Sequence, residues 1–347
     1  MPPPGEREMA TAIDTGKLAA CPLFSGHGDE ELADIAQYMR PVRAKAGSRL
    51  FTQGDPAEGL YVVEEGEIRI VSRLPGDKEV ELGRIGPGEL FGEVALVINS
   101  QHSTSAEVLA PFRGCFFSRM HFDMLRSDLR PSAFRTMNAI TETICGRIRA
   151  QIAEIETGAM PAVQLPVHGT HGNGSAGPSG RLRANPSLTH PAQLRRLPVF
   201  RPYTGSELKR LLAPLRHIHL PRGTVLFERG AAPDQCWIVV RGALRVEARK
   251  GKVREQMGIL GPSQLCGVLA LMDGKPEPFR CEVREDADLL EMDRKIFEQI
   301  REAADPLAFK FFESVNAALV NLLRKNNRHV SLLAVQGRLV RRAAHTT

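Results

Sequence analysis

No apolar run in the sequence approaches the ~20 residues needed to span a bilayer. The start, MPPPGEREMATAIDTGK, lacks the apolar core of a signal peptide. Both absences point to a cytoplasmic chain that avoids the membrane. The six cysteines, Cys21, Cys115, Cys145, Cys236, Cys266 and Cys281, form no CxxC pair and no Cys/His ligand spacing. Neither a zinc site nor a disulfide framework is expected from them. Also missing are a nucleophile elbow, a Walker loop, an HExxH helix and a kinase signature, and the paired Glu64-Glu65 falls at a strand turn. The expectation is that the chain is not an enzyme and needs no cofactor or metal. Lysine is scarce, at ten of 46 basic residues, and the arginine bias suits GC-rich bacterial coding. Because 40 acidic residues offset the basic ones, the net charge of +6 does not by itself predict nucleic-acid binding.

What is present suffices for two cores. At roughly 150 residues per domain, 347 residues suggest about two domains. A search for self-similarity shows what they are. PLFSGHGDEEL, from Pro22, matches PVFRPYTGSEL, from Pro198, at an offset of 176. Without a gap, Gly47 then falls on Gly223, Phe51 on Phe227, Gly54 on Gly230, Tyr61 on Trp237 and Gly66 on Gly242. One deletion later the offset is 175. FGEVAL at Phe91–Leu96 now pairs with CGVLAL at Cys266–Leu271, and Phe122, Pro131 and Phe134 pair with Phe297, Pro306 and Phe309. The chain is a tandem duplication.

Segments such as LYVVEEGEIRIVSR and CWIVVRGALRVEAR are rich in β-branched residues and punctuated by glycine, which predicts strands joined by turns. Each copy closes on a helical stretch opened by proline, at Pro131 and Pro306. The expected plan is a tail over 1–17, a first domain over 18–155, a Gly/Pro/Ser/His linker over 156–192, a second domain over 193–326 and a tail over 327–347. His168, His171 and His190 of the linker read as part of a solvated tether. Arg195-Arg196-Leu197 reads as part of the second domain's first helix. Cys236, Cys266 and Cys281 replace Leu60, Phe91 and Ala106 of the first copy, so they read as small buried hydrophobes.

AGSRLFTQGDPAEGLYVVEEGEIRI followed by GPGELFGEVALV, and RGTVLFERGAAPDQCWIVVRGALRV in the second copy, resemble the cyclic-nucleotide-binding domains of bacterial catabolite activator proteins and of protein kinase A regulatory subunits. The resemblance implies a mainly β fold: two tandem eight-stranded jelly-roll barrels with flanking helices. It also implies a phosphate-binding cassette in each. There Gly-Glu opens a short helix toward the phosphate, the glutamate accepts from the ribose hydroxyl, and an arginine neutralises the phosphate.

The candidate site in the first copy is Phe91, Gly92, Glu93, Val94 and Ala95 with His102, Ser103, Thr104 and Ser105. Cyclic AMP or cyclic GMP is the candidate ligand, in the first copy only. The arginine does not carry over. Counting forward from Phe91 reaches His102 or Ser103, and counting back from Ser105-Ala106-Glu107-Val108 reaches Thr104. Losing a buried charge partner for an anion costs about 2–5 kcal/mol, or roughly 10²–10³-fold in affinity. In the second copy Val268 replaces Glu93, Glu277 falls on His102, and Arg280 is one residue out of register, so it should face away from the pocket.

The resulting expectation is a regulatory protein that works as a cyclic-nucleotide sensor or ligand-free adaptor, signalling to an unidentified protein effector through its terminal helices. Phe311, Val315, Leu319 and Leu322-Leu323 form an apolar stripe first expected on its own barrel, with a homodimer contact as the alternative. A transcriptional regulator of the catabolite-activator type is the second reading. The residues after the last helix are too few for a winged reader, and nucleic acid is disfavoured as a partner.

Overall fold

The computed structural model describes residues 13–74, 78–157, 191–232, 234–250 and 253–344. The first copy runs α1 (Thr15–Ala20), α2 (Asp29–Ala36), β1 (Met39–Ala44), β2 (Arg49–Phe51), β3 (Gly59–Leu74), β4 (Lys78–Ile85), β5 (Leu90–Phe91), α3 (Val94–Val97), β6 (Ser105–Ser118), α4 (Arg119–Ser127) and α5 (Pro131–Thr157). The second runs α6 (Pro191–Leu194), a 3₁₀ turn (Pro198–Phe200), α7 (Gly205–Leu212), β7 (Arg216–Leu220), β8 (Val225–Phe227), β9 (Gln235–Lys250), β10 (Val253–Leu260), β11 (Leu265–Cys266), α8 (Val268–Asp273), β12 (Arg280–Asp293), α9 (Arg294–Ala303) and α10 (Pro306–Ala344).

Each copy builds one six-stranded antiparallel sheet, ordered β1-β6-β3-β4 and β7-β12-β9-β10, and the short strands pair alongside. Among the described residues neither sheet closes into a barrel, and six strands stand where the resemblance implied eight. The reason is strand length. β3 and β6 pair along most of their length but slip register between Val63 and Glu65 and between Glu65 and Glu67. Such bulges bend a strand, so one long element serves where two would be counted.

The duplication extends to individual backbone bonds. Gly54 N donates to His102 O at 2.9 Å, and Gly230 N to Glu277 O at 2.8 Å. Val63 N donates to Glu89 O and Val239 N to Gln264 O, both at 2.9 Å. These bonds place His102 and Glu277 at the same point of the fold, as the offset predicts.

Helix ends follow local chemistry. Ser118 and Asp293 cap α4 and α9 by accepting from His121 N at 3.2 Å and Ile296 N at 2.9 Å. Thr204 and Glu207 form a capping box on α7, and Lys310 of α10 holds the Glu207 carboxylate at 2.7 Å. That contact with Lys310 pulls the Glu207 carboxyl down to about 2.

Several expected boundaries shift. The tail over 1–17 ends earlier, because Asp14 Oδ1 accepts from Gly16 N at 2.9 Å to start α1, and Leu18 is buried. The tail over 327–347 is helix through Ala344, since Ser331–Ala344 is rich in helix formers and free of proline. Arg195 and Arg196 lie in the turn after α6 and not within a helix. Two compact units divide at Thr143/Ile144, not at 155, so the later part of α5 belongs with the second unit. There Arg149 makes a bidentate pair with Asp273 at the end of α8, with bonds of 2.5 and 2.8 Å. Of the expected linker, 158–190 lies outside the described residues, with His168, His171 and His190.

All six cysteines are free and buried. Phe311, Val315, Leu319 and Leu323 are buried within the second unit, where Phe311 and Phe312 pack edge-on against Phe297. The stripe covers its own domain.

Candidate functional site

The cassette of the first copy begins where β5 ends. Gly92 has φ +80°, and a Cβ there would lie 2.8 Å from Gly59 O, so only glycine fits. The chain then turns into the four-residue α3, where Ala95 N donates to Gly92 O and Leu96 N to Glu93 O, both at 3.0 Å. Glu93 is 1% exposed, Val94 is half-buried, and Ala95 is buried with its carbonyl accepting from Arg119 Nη1 at 2.9 Å.

Aromatic rings occupy the interior beside this turn. Phe91 stacks on Tyr61 at 5.1 Å and tilts against Phe51 at 5.9 Å. The His102 ring lies flat on Phe51, 3.6 Å between centroids with the planes 3° apart. Burial pushes the His102 imidazole down to about 4, against the opposing pull of the Asp55 carboxylate. The ring is therefore uncharged at neutral pH. Ser103 is exposed and Thr104 half-buried in the bend before β6, while Ser105 is buried with Oγ accepting from Gln53 N at 2.9 Å. A cavity of about 220 Å³ beside the stack is lined by Asp55, Glu58, Tyr61 and His102, with no lysine or arginine in its wall. Glu93 and Gly92 do not line it, so the two halves of the expected site do not meet around that cavity.

In the second copy Gly267 repeats the turn, with φ +81° and a Cβ that would lie 2.8 Å from Gln235 O. Val268 is buried where Glu93 stands in the first copy. Arg280 faces away from the interior as its register requires. Its guanidinium meets Glu228 at 3.0 Å and Glu247 at 3.1 Å, and also contacts Glu282. The preceding residue, Phe279, is buried and lines the interior. Phe279 is the counterpart of Thr104, which is half-buried and does not line the cavity of the first domain. Sequence reasoning missed the aromatic filling by Phe51 and Tyr61 and the inward placing of Phe279. Period-two alternation counted from Cys281 would have found the latter.

The model of the cyclic nucleotide-binding domain matches residues 41–128 and again residues 217–304. The chain belongs to that family. Among curated relatives, the cyclic AMP receptor protein of Thermus thermophilus is 38% identical over 102 residues, covering 28% of this chain and 47% of the relative. A CRP-like cAMP-activated global transcriptional regulator of Mycobacterium tuberculosis is 29% identical over 110 residues, covering 32% and 48%. The chain spans about half the length of these relatives. A solved structure of the regulatory domain of Toxoplasma gondii PKA with cAMP aligns over 84% of this chain and 91% of its own, at 17% identity and TM-score 0.31.

These are thus two cyclic nucleotide-binding domains in tandem, of a regulatory family. Among the described residues no cluster of three or more His, Cys, Asp or Glu could hold a metal ion, and no helix is long and apolar enough to cross a membrane.

Proposed function

We propose that the chain is a non-catalytic regulatory adaptor of the cytoplasm, acting on a protein effector through the helices that close each domain. Cyclic AMP and cyclic GMP are at most weak ligands of the first domain. One observation carries this reading: no arginine or lysine stands in the stretch from Phe91 to Ser105 that the resemblance makes the cassette. Thr104 stands where the register of the repeat puts the family arginine, the His102 imidazole is neutral, and the adjoining cavity carries Asp55 and Glu58. The missing cation lowers nucleotide affinity by roughly 10²–10³-fold. The non-catalytic role rests on the absence of any catalytic motif and on the regulatory character of the family.

Restoring the charge tests the reading. Thr104→Arg in the full chain should introduce a thermal shift at 1 mM cyclic AMP that the unchanged chain lacks, as linkage requires once affinity rises about a hundredfold. A folded Thr104→Arg chain with no nucleotide-dependent shift would overturn it.

A further inference from the structure

The second domain carries a partly open cavity of about 360 Å³, within the roughly 300–1,000 Å³ of small-molecule sites. Phe227, Val246, Leu260, Cys266, Val268 and Phe279 form most of its apolar wall, and α10 closes one side with Ala317, Ala318 and Leu322. Its origin is legible in the repeat. The ring of Phe91 that fills the first domain is replaced by the thiol of Cys266, and the carboxylate of Glu93 by Val268. Trp237 does not move in to fill the space. It stacks on Phe227 at 5.6 Å, and its Nε1 donates to Glu291 at 3.2 Å.

Two polar groups, Glu277 and Ser263, lie in this wall. Glu277 is 4% exposed and lines the cavity. Its backbone is pinned by Gly230 N and Ala231 O, so the side chain cannot retreat. Arg149 and Asp273 are the charges nearest in effect, but they are paired with each other. Burial pushes the Glu277 carboxyl up to about 7. Ser263 Oγ is buried without a partner on a residue with φ +73°. Buried polar atoms are nearly always satisfied, so the orphaned Ser263 Oγ, in the same wall as the Glu277 carboxyl, marks where a ligand's polar atoms belong.

We propose that this cavity binds an uncharged, largely apolar small molecule carrying an N–H donor for Glu277, and that it rejects anions, cyclic nucleotides included. Of the two lysines in its lining, Lys310 is held by Glu207 at 2.7 Å and Lys325 is exposed beside Gly258, so the buried ionisable group of the wall is the Glu277 carboxyl and not a cation. The nucleotide affinity of the first domain has no bearing on this site.

A matched pair of probes tests it on the full chain: N-phenyl-1-naphthylamine, uncharged with one N–H, and its sulfonate, 1-anilinonaphthalene-8-sulfonate. Trp237 is the sole tryptophan and lies in the second domain, so energy transfer from it reports this cavity. The amine should give saturable one-to-one transfer that millimolar cyclic AMP does not displace, and the sulfonate should bind at least about tenfold more weakly. Cys266→Phe, which restores the first domain's ring, and Ala318→Leu, which fills from α10, should each weaken the amine by about tenfold or more with unchanged circular dichroism. Absence of saturable transfer, equal binding of the sulfonate, or affinity unchanged in the folded filling variants overturns the proposal.

Discussion

Glu277 and His102 occupy equivalent points of the two domains, and burial moves their titrations in opposite directions for one reason, the cost of a charge in a poorly solvated place. For Glu277 the native carboxyl titrates near 7, against 4.5 when unfolded, so the native state holds its proton more tightly. The contribution of Glu277 to stability is therefore greatest below about pH 4.5 and is lost as pH rises through 7, by about 3 kcal/mol in all. Glu277→Gln removes that slope. Urea unfolding followed by Trp237 fluorescence should find the variant more stable than the parent at pH 8 and the gain much reduced at pH 5, whereas equal gains at both would contradict the burial argument. His102 works the other way. Its native pKa lies below the unfolded 6.5, so its contribution is present above pH 6.5 and lost as pH falls toward 4, and His102→Phe should flatten that acid limb in the same measurement.

At the scale of elements, the turn into α3 and the packing of α10 carry the domains. Gly92→Ala forces a Cβ to 2.8 Å from Gly59 O at φ +80° and should cost about 1–3 kcal/mol by denaturant unfolding. Phe312→Ala removes a fully buried ring from the cluster with Phe297 and Phe311 and should cost about 3–5 kcal/mol. The strands and the Phe311–Leu323 stripe were readable because period and β-branching are local properties. The extent of α10 was not, because the stretch after Asn326 is basic and weakly patterned, with no apolar period to mark it as helix. The strand count also differed, since two strands joined by a bulge and one bent strand have the same sequence pattern.

For the whole molecule, the tandem plan was legible because glycines with positive φ, such as Gly92 and Gly267, tolerate no other residue and so stay matched across the copies. The missing cassette arginine was legible for the same reason, since the register around Val108 and Val283 is fixed. The hollow second domain was not legible. Cys266 in place of Phe91 reads as a small hydrophobe, and only the structure shows that Trp237, held by Glu291, leaves the space unfilled. The two domains share one backbone, but rings line the first and the second has a largely apolar cavity, and neither carries the cassette arginine at the register the resemblance sets. Isothermal titration of the unmodified full chain with cyclic AMP tests this most directly. The account predicts no saturable heat below about 1 mM, the loss expected when the phosphate has no charged partner. A saturable isotherm with micromolar Kd, in either domain, would contradict it.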